Sequence, residues 1–379
     1  MIRSLKSIFE NNEKLNSENI HSMHAFPCKF PASIPNLIIK EFAKKGDVIC
    51  DPFVGSGTTL LESSLLGYKS VGIDINPIAC LLSKVKSTPI SPVVLEKLSL
   101  ILVNIRKNYL KASKQNFVSI PIVNFKSIDH WFQNNVIKEL SLLKNEILQV
   151  SNQNLKDLLL IAFSSIIVRV SNQESDTRYA AIKKNIKNGD TIRKFIDRVQ
   201  EYKKSMKIFW NLLPNKKINS GVVLSDTRDL KKIKNNSVDI IITSPPYANT
   251  YDYYLYHKQR KLWLDMDVVK TQNTEIGSRR EFSSLKESPS KWEEDITQCL
   301  KEFKRITKQN GKIFIIIGDS IINKKLIRSD FLFKDVAKKL GFIHISTEST
   351  LLKKHSRRFN PKFQTNDKKE HLIYFKNTK

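Results

Sequence analysis

The chain has 379 residues, of which 40% are hydrophobic and 27% charged, a composition typical of a globular protein rather than a disordered one. Its 64 Lys and Arg residues outnumber its 37 Asp and Glu residues, and the formal charge of +27 favours a polyanionic partner such as nucleic acid. The four cysteines have neither the spacing of a zinc site nor the density of a disulfide scaffold, and no apolar run is long enough to span a bilayer. We therefore expect a cytoplasmic protein without membrane contact.

The first predicted elements form a strand, a glycine-rich loop, a helix and a second strand. An apolar run (residues 47–50) ends in DPFVGSGTT (residues 51–59), a helical stretch follows, and a second run, SVGID, ends at Asp74. This order is that of the opening βαβ unit of a doubly wound sheet, in which the loop after the first strand lies at the ligand-binding edge. It predicts a ligand site near Gly55 and Gly57.

A long segment, residues 88–220, separates the second predicted strand from the third. Its apolar residues recur at helical spacing in LEKLSLILVNIRKNYL, VIKELSLLKNEILQV and NLKDLLLIAFSSIIVRV. The segment holds 22 basic against 10 acidic residues, so it carries much of the excess positive charge. We expect an inserted helical subdomain that is a candidate for DNA recognition.

Five further strands are predicted in the second half, from the runs VVLSD, VDIIITSPPY, GKIFIIIGD, GFIHIS and HLIYF. With the first two they would form a mostly parallel, Rossmann-like α/β sheet of seven strands that ends in an antiparallel pair. The predicted organisation is an N-terminal ligand-binding part (residues 1–87), the helical insertion between the second and third strands (88–220) and a C-terminal catalytic part (221–379).

The glycine-rich loop has the properties of a site for a positively charged ligand. It lacks the Gly-Lys-Ser/Thr ending of a P-loop, which disfavours a nucleoside triphosphate. Its glycines allow the backbone to approach a ligand closely, and Asp51 suits the cationic groups of S-adenosylmethionine. Asp74, at the end of the second strand, is placed to accept hydrogen bonds from ribose hydroxyls.

The segment TSPPY (residues 243–247) is the most specific motif. Its two prolines fix the backbone and remove two N–H donors, so the carbonyls there can only accept hydrogen bonds. Such a site suits an amino group, which donates hydrogen bonds. The amine of a base is a poor nucleophile until acceptors, here Ser244 and the Pro245 carbonyl, help it become pyramidal. Tyr247 would stack on a base rotated out of the helix, which contributes about 1–3 kcal/mol.

DPFVGSGTT together with TSPPY resembles the amino-group DNA methyltransferases, which modify cytosine N4 or adenine N6. The resemblance implies the seven-stranded S-adenosylmethionine methyltransferase fold, S-adenosylmethionine as the cofactor and double-stranded DNA as the substrate. It also implies a restriction-modification setting in a prokaryotic cytosol, with a cognate restriction endonuclease as a further candidate partner. The site residues that it implies are Ser244, Pro245, Pro246 and Tyr247 for catalysis, and Phe30, Pro31, Asp51, Phe53, Gly55, Gly57, Thr58, Asp74, Ile75 and Asp226 for cofactor binding.

The target atom and the recognition segment have alternatives at this stage. Serine as the first residue of SPPY resembles the cytosine-N4 enzymes, which favours cytosine N4, with adenine N6 as the alternative. An RNA base amino-methyltransferase and a DNA-binding protein that keeps the fold without turnover are the rival interpretations. The large insertion departs from the known motif orders of the family, so the segment that reads DNA stays open.

Cysteine and histidine residues give no sign of further chemistry. Cys28 follows a proline, as does the nucleophile of cytosine-C5 methyltransferases, but it precedes the first strand, so we expect a packing residue near the cofactor. His24, His130 and His257 are scattered without the spacing of a metal site. No metal is predicted.

Two basic segments after TSPPY are candidates for the DNA-facing cleft. Residues 251–261 combine four tyrosines with Lys258, Arg260 and Lys261, and residues 279–280 are both arginine. A helix that packs its apolar side, and a surface loop, are the alternative explanations.

Overall fold

The computed structural model describes residues 4–11, 15–218, 220–323, 325–351 and 368–378. The helices are α1 (Leu5–Phe9), α2 (Glu18–His21), α3 (Ser33–Phe42), α4 (Thr58–Leu65), α5 (Pro77–Ser87), α6 (Pro92–Lys114), α7 (Ile128–Trp131), α8 (Asn134–Leu148), α9 (Gln153–Val170), α10 (Asp190–Leu212), α11 (Tyr253–Tyr256), α12 (Lys258–Trp263), α13 (Val268–Thr274), α14 (Arg279–Ser283), α15 (Pro289–Ile306) and α16 (Ser329–Lys339). The strands are β1 (Val48–Asp51), β2 (Lys69–Asp74), β3 (Gln173–Ser175), β4 (Arg178–Ala181), β5 (Ser220–Leu224), β6 (Val238–Thr243), β7 (Thr307–Gly318), β8 (Ser320–Ile322), β9 (Lys325–Ile327), β10 (Phe342–Leu351) and β11 (Lys369–Asn377).

Seven strands form one sheet in the order β10-β11-β7-β6-β1-β2-β5. The five strands from β7 to β5 are parallel, whereas β11 runs antiparallel to both β7 and β10. All seven strands predicted from the sequence are present, and the mostly parallel α/β sheet with a terminal antiparallel pair is confirmed.

The central strands are apolar throughout because both faces of the sheet are covered. Along β6, Ile240 and Ile242 pack on one face with α1 and α3, while Ile241 packs on the other with α15 and α16. A continuous apolar run is the pattern expected of a parallel strand buried on both sides. These two layers hold the sheet rigidly under the loops at its edge.

The strand order reverses beside β1. The chain passes from β1 to β2 on one side, and β6 pairs with β1 on the other, with Ile49 opposite Ile240. In open parallel sheets the crevice at the carboxyl ends of the strands at such a point is where ligands bind. The loops after β1 and β6, which are DPFVGSGTT and TSPPY, both start at this crevice.

The insertion is helical, as predicted, and lies between β2 and β5, the second and third strands of the large sheet. Its long helices α6, α8, α9 and α10 bury one apolar cluster that continues into α4 and α5 through Leu61 and Leu82. The short hairpins β3–β4, inside the insertion, and β8–β9 were not predicted. Among the described residues, no helix combines the length and apolar character needed to cross a membrane. The division of the chain at residues 87 and 220 stays a prediction.

The core of the insertion also includes a residue that follows TSPPY in the sequence. Trp263 of α12 is fully buried, and its ring centroid lies 5.8 Å from that of Phe125, 5.4 Å from Phe132 and 6.1 Å from Phe163. Edge-on arrangements of this kind add stabilisation beyond the burial of area alone. The insertion and the segment after TSPPY are therefore packed into one core.

Candidate functional site

A cavity opens where the loops after β1, β2, β5 and β6 meet. Its volume is about 840 Å³, with the open solvent at its mouth included. The lining residues are Phe26, Pro27, Cys28, Lys29, Phe30, Phe53, Val54, Gly55, Ser56, Thr58, Asp74, Ile75, Asn76, Asp226, Thr227, Ser244, Pro246, Tyr253, Thr271, Glu275 and Ile276.

Glycines shape the loop after β1. Gly55 and Gly57 have φ values of +46° and +80°, a region that side chains rarely adopt. A Cβ atom at Gly57 would lie 2.8 Å from the Cα atom of Ser83, so the start of α4 can approach α5 only because this residue is glycine. The N-terminus of α4 therefore lies at the cavity, while Gly57 itself faces α5.

Asp74 is held at the end of β2 by the backbone around it. Its Oδ2 atom accepts a hydrogen bond from the Gly55 N–H at 2.9 Å, and Oδ1 accepts one from the Asn76 N–H at 2.8 Å. Removal from water raises the pKa of this carboxyl to about 6, against the opposing effect of these two hydrogen bonds. A carboxylate has about four acceptor positions, more than these backbone donors fill, which suits the hydroxyl donors of a ribose.

Asp51 lies behind the cavity wall rather than in it. It is 1% exposed, and its Oδ1 atom accepts hydrogen bonds from the Thr243 hydroxyl at 2.6 Å and the Phe53 N–H at 3.1 Å. Burial raises the pKa of this carboxyl to about 6. Asp51 thus joins the loop after β1 to the loop after β6, and it touches a bound ligand only if the wall moves.

Contacts from distant parts of the chain hold TSPPY in place. The Pro246 carbonyl accepts a hydrogen bond from the Trp292 indole N–H at 3.3 Å, and the Tyr247 hydroxyl donates one to Glu370 Oε1 at 2.9 Å. The Tyr247 ring also lies against Gly318, where an added Cβ atom would approach it to 2.7 Å. The geometry of the motif therefore depends on α15, β7 and β11.

The structure brings nine of the fourteen predicted site residues to the cavity lining. These are Phe30, Phe53, Gly55, Thr58, Asp74, Ile75, Asp226, Ser244 and Pro246. The others lie just behind the lining or beside it; they are Pro31, Asp51, Gly57, Pro245 and Tyr247. The two sequence motifs thus share one cavity.

Asp226 is in the lining but is already paired. Its carboxylate accepts hydrogen bonds from the Arg228 guanidinium, the shortest at 2.7 Å, and Arg228 also binds Asp295 at 2.8 Å. The pairing fixes the orientation of the Asp226 carboxylate and leaves it fewer positions for a ligand. Its predicted role in cofactor binding stays a prediction.

The sequence motifs did not include Glu275 and Lys261. Glu275 is 4% exposed and lines the cavity, and burial raises its pKa to about 8. Lys261 is fully buried, and burial lowers its pKa to about 8 despite its attraction to Glu275 and Asp74. Buried carboxylates and buried ammonium groups are rare in proteins, so their burial makes Glu275 and Lys261 candidates for a functional role. That burial can be seen only once the fold is known.

The prediction that Arg260 and Lys261 line a DNA-facing cleft is wrong. Arg260 is 1% exposed, and its guanidinium donates to the Ser164 carbonyl at 3.1 Å and the Tyr256 carbonyl at 2.9 Å. The Arg260 guanidinium is part of the contact between α12 and the insertion, and Lys261 is fully buried, so neither group reaches solvent. Arg279 is exposed beside the tyrosines of this segment and stays a candidate.

The structure shows the surroundings of Cys28, His24 and His257. Cys28 lines the cavity with a φ of +60°. His24 is buried and bonds to the Ala25 carbonyl at 2.7 Å and Ser164 Oγ at 3.1 Å. The buried His257 ring lies 5.0 Å from that of Phe26.

Asp319, Asp330 and His371 place three possible ligand atoms within 4.8 Å of one another. Arg328 lies 3.6 Å from Asp319 and 3.4 Å from Asp330, and Lys334 lies 3.1 Å from Asp330. Cations of the chain itself already balance these carboxylates. We interpret the cluster as an ion-pair network at the end of β7.

Comparisons with known proteins agree with the two motifs. The family model described as DNA methylase matches residues 3–85 and 238–379, which is more than half of the chain. The chain is 26% identical to type II methyltransferase M.MvaI of Kocuria varians over 90% of its own length and 87% of that protein. It is 23% identical to type II methyltransferase M.MjaII of Methanocaldococcus jannaschii over 93% and 81% of the two chains.

The fold is similar to a solved structure of an S-adenosylmethionine-dependent methyltransferase from Methanosarcina mazei, and the match covers 90% of this chain and 97% of that protein's chain. The TM-score is 0.36 and the sequence identity 10%. So distant a likeness adds nothing to the sheet topology described above.

Proposed function

Because the chain belongs to the DNA methylase family and is an S-adenosylmethionine-dependent DNA methyltransferase, we propose that it acts as a type II enzyme whose target atom is cytosine N4. The observation that carries the proposal is that Ser244 and Pro246 line the same cavity as Gly55 and Asp74. A base held by the first pair would meet a methyl donor held by the second.

The cavity fits S-adenosylmethionine in charge and in shape. Three acidic side chains, those of Asp74, Asp226 and Glu275, line it, and a ligand that carries a sulfonium and an ammonium group favours their ionised forms. Phe30 and Phe53 provide apolar wall for the uncharged parts of the ligand. When bound, S-adenosylmethionine supplies the methyl group that the reaction transfers.

On the cofactor side, we assign binding to the residues of the loops after β1, β2 and β5. Asp74 would accept hydrogen bonds from the ribose hydroxyls. The backbone of the loop from Phe53 to Thr58 would lie along the bound ligand. Asp51 would act indirectly, because its bonds to Thr243 and Phe53 keep the two loops at a fixed separation. Pro31, Ile75 and Asp226 complete the proposed set.

On the base side, Ser244 Oγ and the Pro245 carbonyl would accept hydrogen bonds from the target amine and increase its nucleophilicity. Pro246 shapes the turn, and Tyr247 would stack on the flipped base. Transfer would be a direct displacement, without a covalent intermediate on the enzyme. Serine at position 244, in place of aspartate or asparagine, is the feature that favours cytosine N4 over adenine N6.

The insertion, residues 88–220, is the segment we propose for recognition of double-stranded DNA. It carries 22 basic against 10 acidic residues, and its core is joined to the segment after TSPPY through Trp263. Similarity to type II methyltransferases supports a restriction-modification role in the prokaryotic cytoplasm, with a cognate endonuclease as partner. No metal enters the proposed reaction.

The test is to express the protein in a host that lacks DNA methylation and to sequence the host DNA by a method that detects modified bases directly. The expected result is N4-methylcytosine within one sequence motif, absent when Ser244→Ala is expressed at the same level. N6-methyladenine in one motif would overturn the base assignment and keep the mechanism. Unmodified DNA from a folded, cofactor-binding protein would overturn the DNA substrate and favour RNA.

A further inference from the structure

A buried carboxylate outside the sequence motifs lies in the wall of the cofactor cavity. Glu275 directly follows α13 (Val268–Thr274), is 4% exposed and shares the lining with Asp74 and Ile75. A carboxylate removed from water is costly unless hydrogen-bond donors or a positive charge compensate for the lost hydration. The groups around Glu275 must therefore compensate for its lost hydration.

The Glu275 carboxylate is oriented but not saturated. The Tyr253 N–H donates to Oε1 at 2.7 Å, and the Tyr254 N–H approaches Oε2 at 3.4 Å, a weaker contact. Two carboxylate oxygens have about four acceptor positions in all, so roughly half are open to another donor. Because Glu275 lines the cavity, a ligand bound there is the available source of donors.

Lys261 is the charge that accompanies this carboxylate. Its Nζ atom is fully buried and has no hydrogen-bond partner within the part of the chain that the structure describes. Its positive charge acts on Glu275 and on Asp74. Glu275 and Asp74 both line the cavity, so the one ammonium lies within electrostatic reach of two carboxyl groups of the same cavity.

We propose that Glu275 is a second carboxylate that binds the ribose hydroxyls of S-adenosylmethionine, alongside Asp74, with Lys261 as their shared counter-charge. The inference rests on the proposed function in one respect, since it requires the cofactor to occupy this cavity. It assigns a cofactor contact to the segment after TSPPY, which none of the motifs contains. It also joins the two sides of the site, because the same carboxylate fixes the backbone of Tyr253 and Tyr254.

The experiment measures binding of S-adenosylhomocysteine by isothermal titration calorimetry, with no DNA present. Glu275→Gln keeps the size and one acceptor oxygen and removes the negative charge that the carboxyl gains when bound hydroxyls donate to it, and we expect it to weaken binding on the order of tenfold. Glu287→Gln, an exposed glutamate of the same segment, is the matched control and should bind as the wild type does. Equal affinity for wild type and Glu275→Gln would overturn the inference.

The ribose assignment is tested with 2′-deoxy and 3′-deoxy analogues of S-adenosylhomocysteine. If Glu275 binds a ribose hydroxyl, removal of that hydroxyl should cost less affinity in Glu275→Gln than in the wild type, because the interaction is already weakened. If the loss of affinity caused by Glu275→Gln and the loss caused by removing a hydroxyl simply add for both analogues, the assignment to the ribose is overturned.

A third variant keeps the inference falsifiable if Glu275→Gln does not fold. Lys261→Met removes the counter-charge without changing an atom of the cavity lining, and thermal melting shows whether it is folded. We expect weaker binding of S-adenosylhomocysteine, and unchanged binding in a folded Lys261→Met would contradict the shared counter-charge. Wild-type protein that binds no S-adenosylhomocysteine would instead overturn the proposed function itself.

Discussion

The two sides of the cavity are built in different ways. On the cofactor side, Asp74 is held by the backbone of Gly55 and Asn76, so residues 51–76 largely fix their own geometry. On the base side, TSPPY is held by Trp292 and Glu370, which are 46 and 123 residues from their partners in the sequence. A local motif can thus specify cofactor binding, whereas the base side needs most of the fold. Changes on the first side should affect cofactor affinity, and changes on the second should affect transfer.

The largest expected effect is on the base side. Ser244→Ala removes a proposed acceptor for the target amine, and we expect methyl transfer to fall about 10²-fold to 10³-fold, as for loss of one transition-state hydrogen bond. The affinity for S-adenosylhomocysteine should not change, because the proposed cofactor contacts are elsewhere. Methylation kinetics and calorimetry on the same preparation check both expectations. Full activity would remove Ser244 from the mechanism, and lost cofactor binding would break the distinction between the two sides.

The next effect is on the cofactor side. Asp74→Ala removes the carboxylate proposed to bind the ribose, and we expect the affinity for S-adenosylmethionine to fall about 10-fold to 100-fold, because hydrogen bonds to a charged group are lost. At saturating cofactor, transfer should recover most of the wild-type rate. A rate that stays low at saturation would show that Asp74 also serves the base side.

The pH dependence of cofactor binding should follow Asp74. Its pKa is raised to about 6 in the unliganded protein, and a ligand that donates hydroxyl hydrogens favours the ionised form, so protonation competes with binding as the pH falls. In Glu275→Gln, where Asp74 is the one titrating carboxyl of the proposed ribose pair, the affinity should fall about tenfold between pH 7 and pH 5. Calorimetry over this range tests it, with the double variant Asp74→Asn/Glu275→Gln expected to vary less. A full decrease in that variant would assign the effect to another carboxylate, such as Asp51.

The smallest expected effect concerns the orientation of Tyr247. Glu370→Gln keeps an acceptor for the Tyr247 hydroxyl but makes it neutral, and we expect transfer to fall about fivefold with unchanged cofactor affinity. Glu348→Gln on the neighbouring strand is the control and should leave the rate unchanged. Weaker cofactor binding in Glu370→Gln would show that the base side and the cofactor side are not separable.

The same difference between local and distant contacts explains which parts of the structure the sequence could predict. The seven strands were predictable because each is an apolar run followed by turn residues, and the loops after β1 and β6 carry their own motifs. The hairpins β3–β4 and β8–β9 have strands of only three or four residues, too short for a periodic pattern to mark them. Their pairing depends on neighbouring elements rather than on strand propensity.

Individual site residues show the same limit. Gly57 was assigned to the cofactor from the motif, but its lack of a side chain serves the contact with Ser83. Arg260 belongs to a segment whose composition suggested DNA contact, and local composition carries no information about burial. Glu275 could not be found from the sequence, because its place in the cavity depends on how the segment after TSPPY folds against the loops after β2 and β5.

The position of Trp263 has a consequence for attempts to change the specificity of this enzyme by exchanging parts with a relative. A chimaera that replaced residues 88–220 alone would leave the Trp263 indole facing foreign side chains where Phe125, Phe132 and Phe163 now enclose it. The smallest transferable unit is therefore discontinuous: it comprises the insertion together with α12.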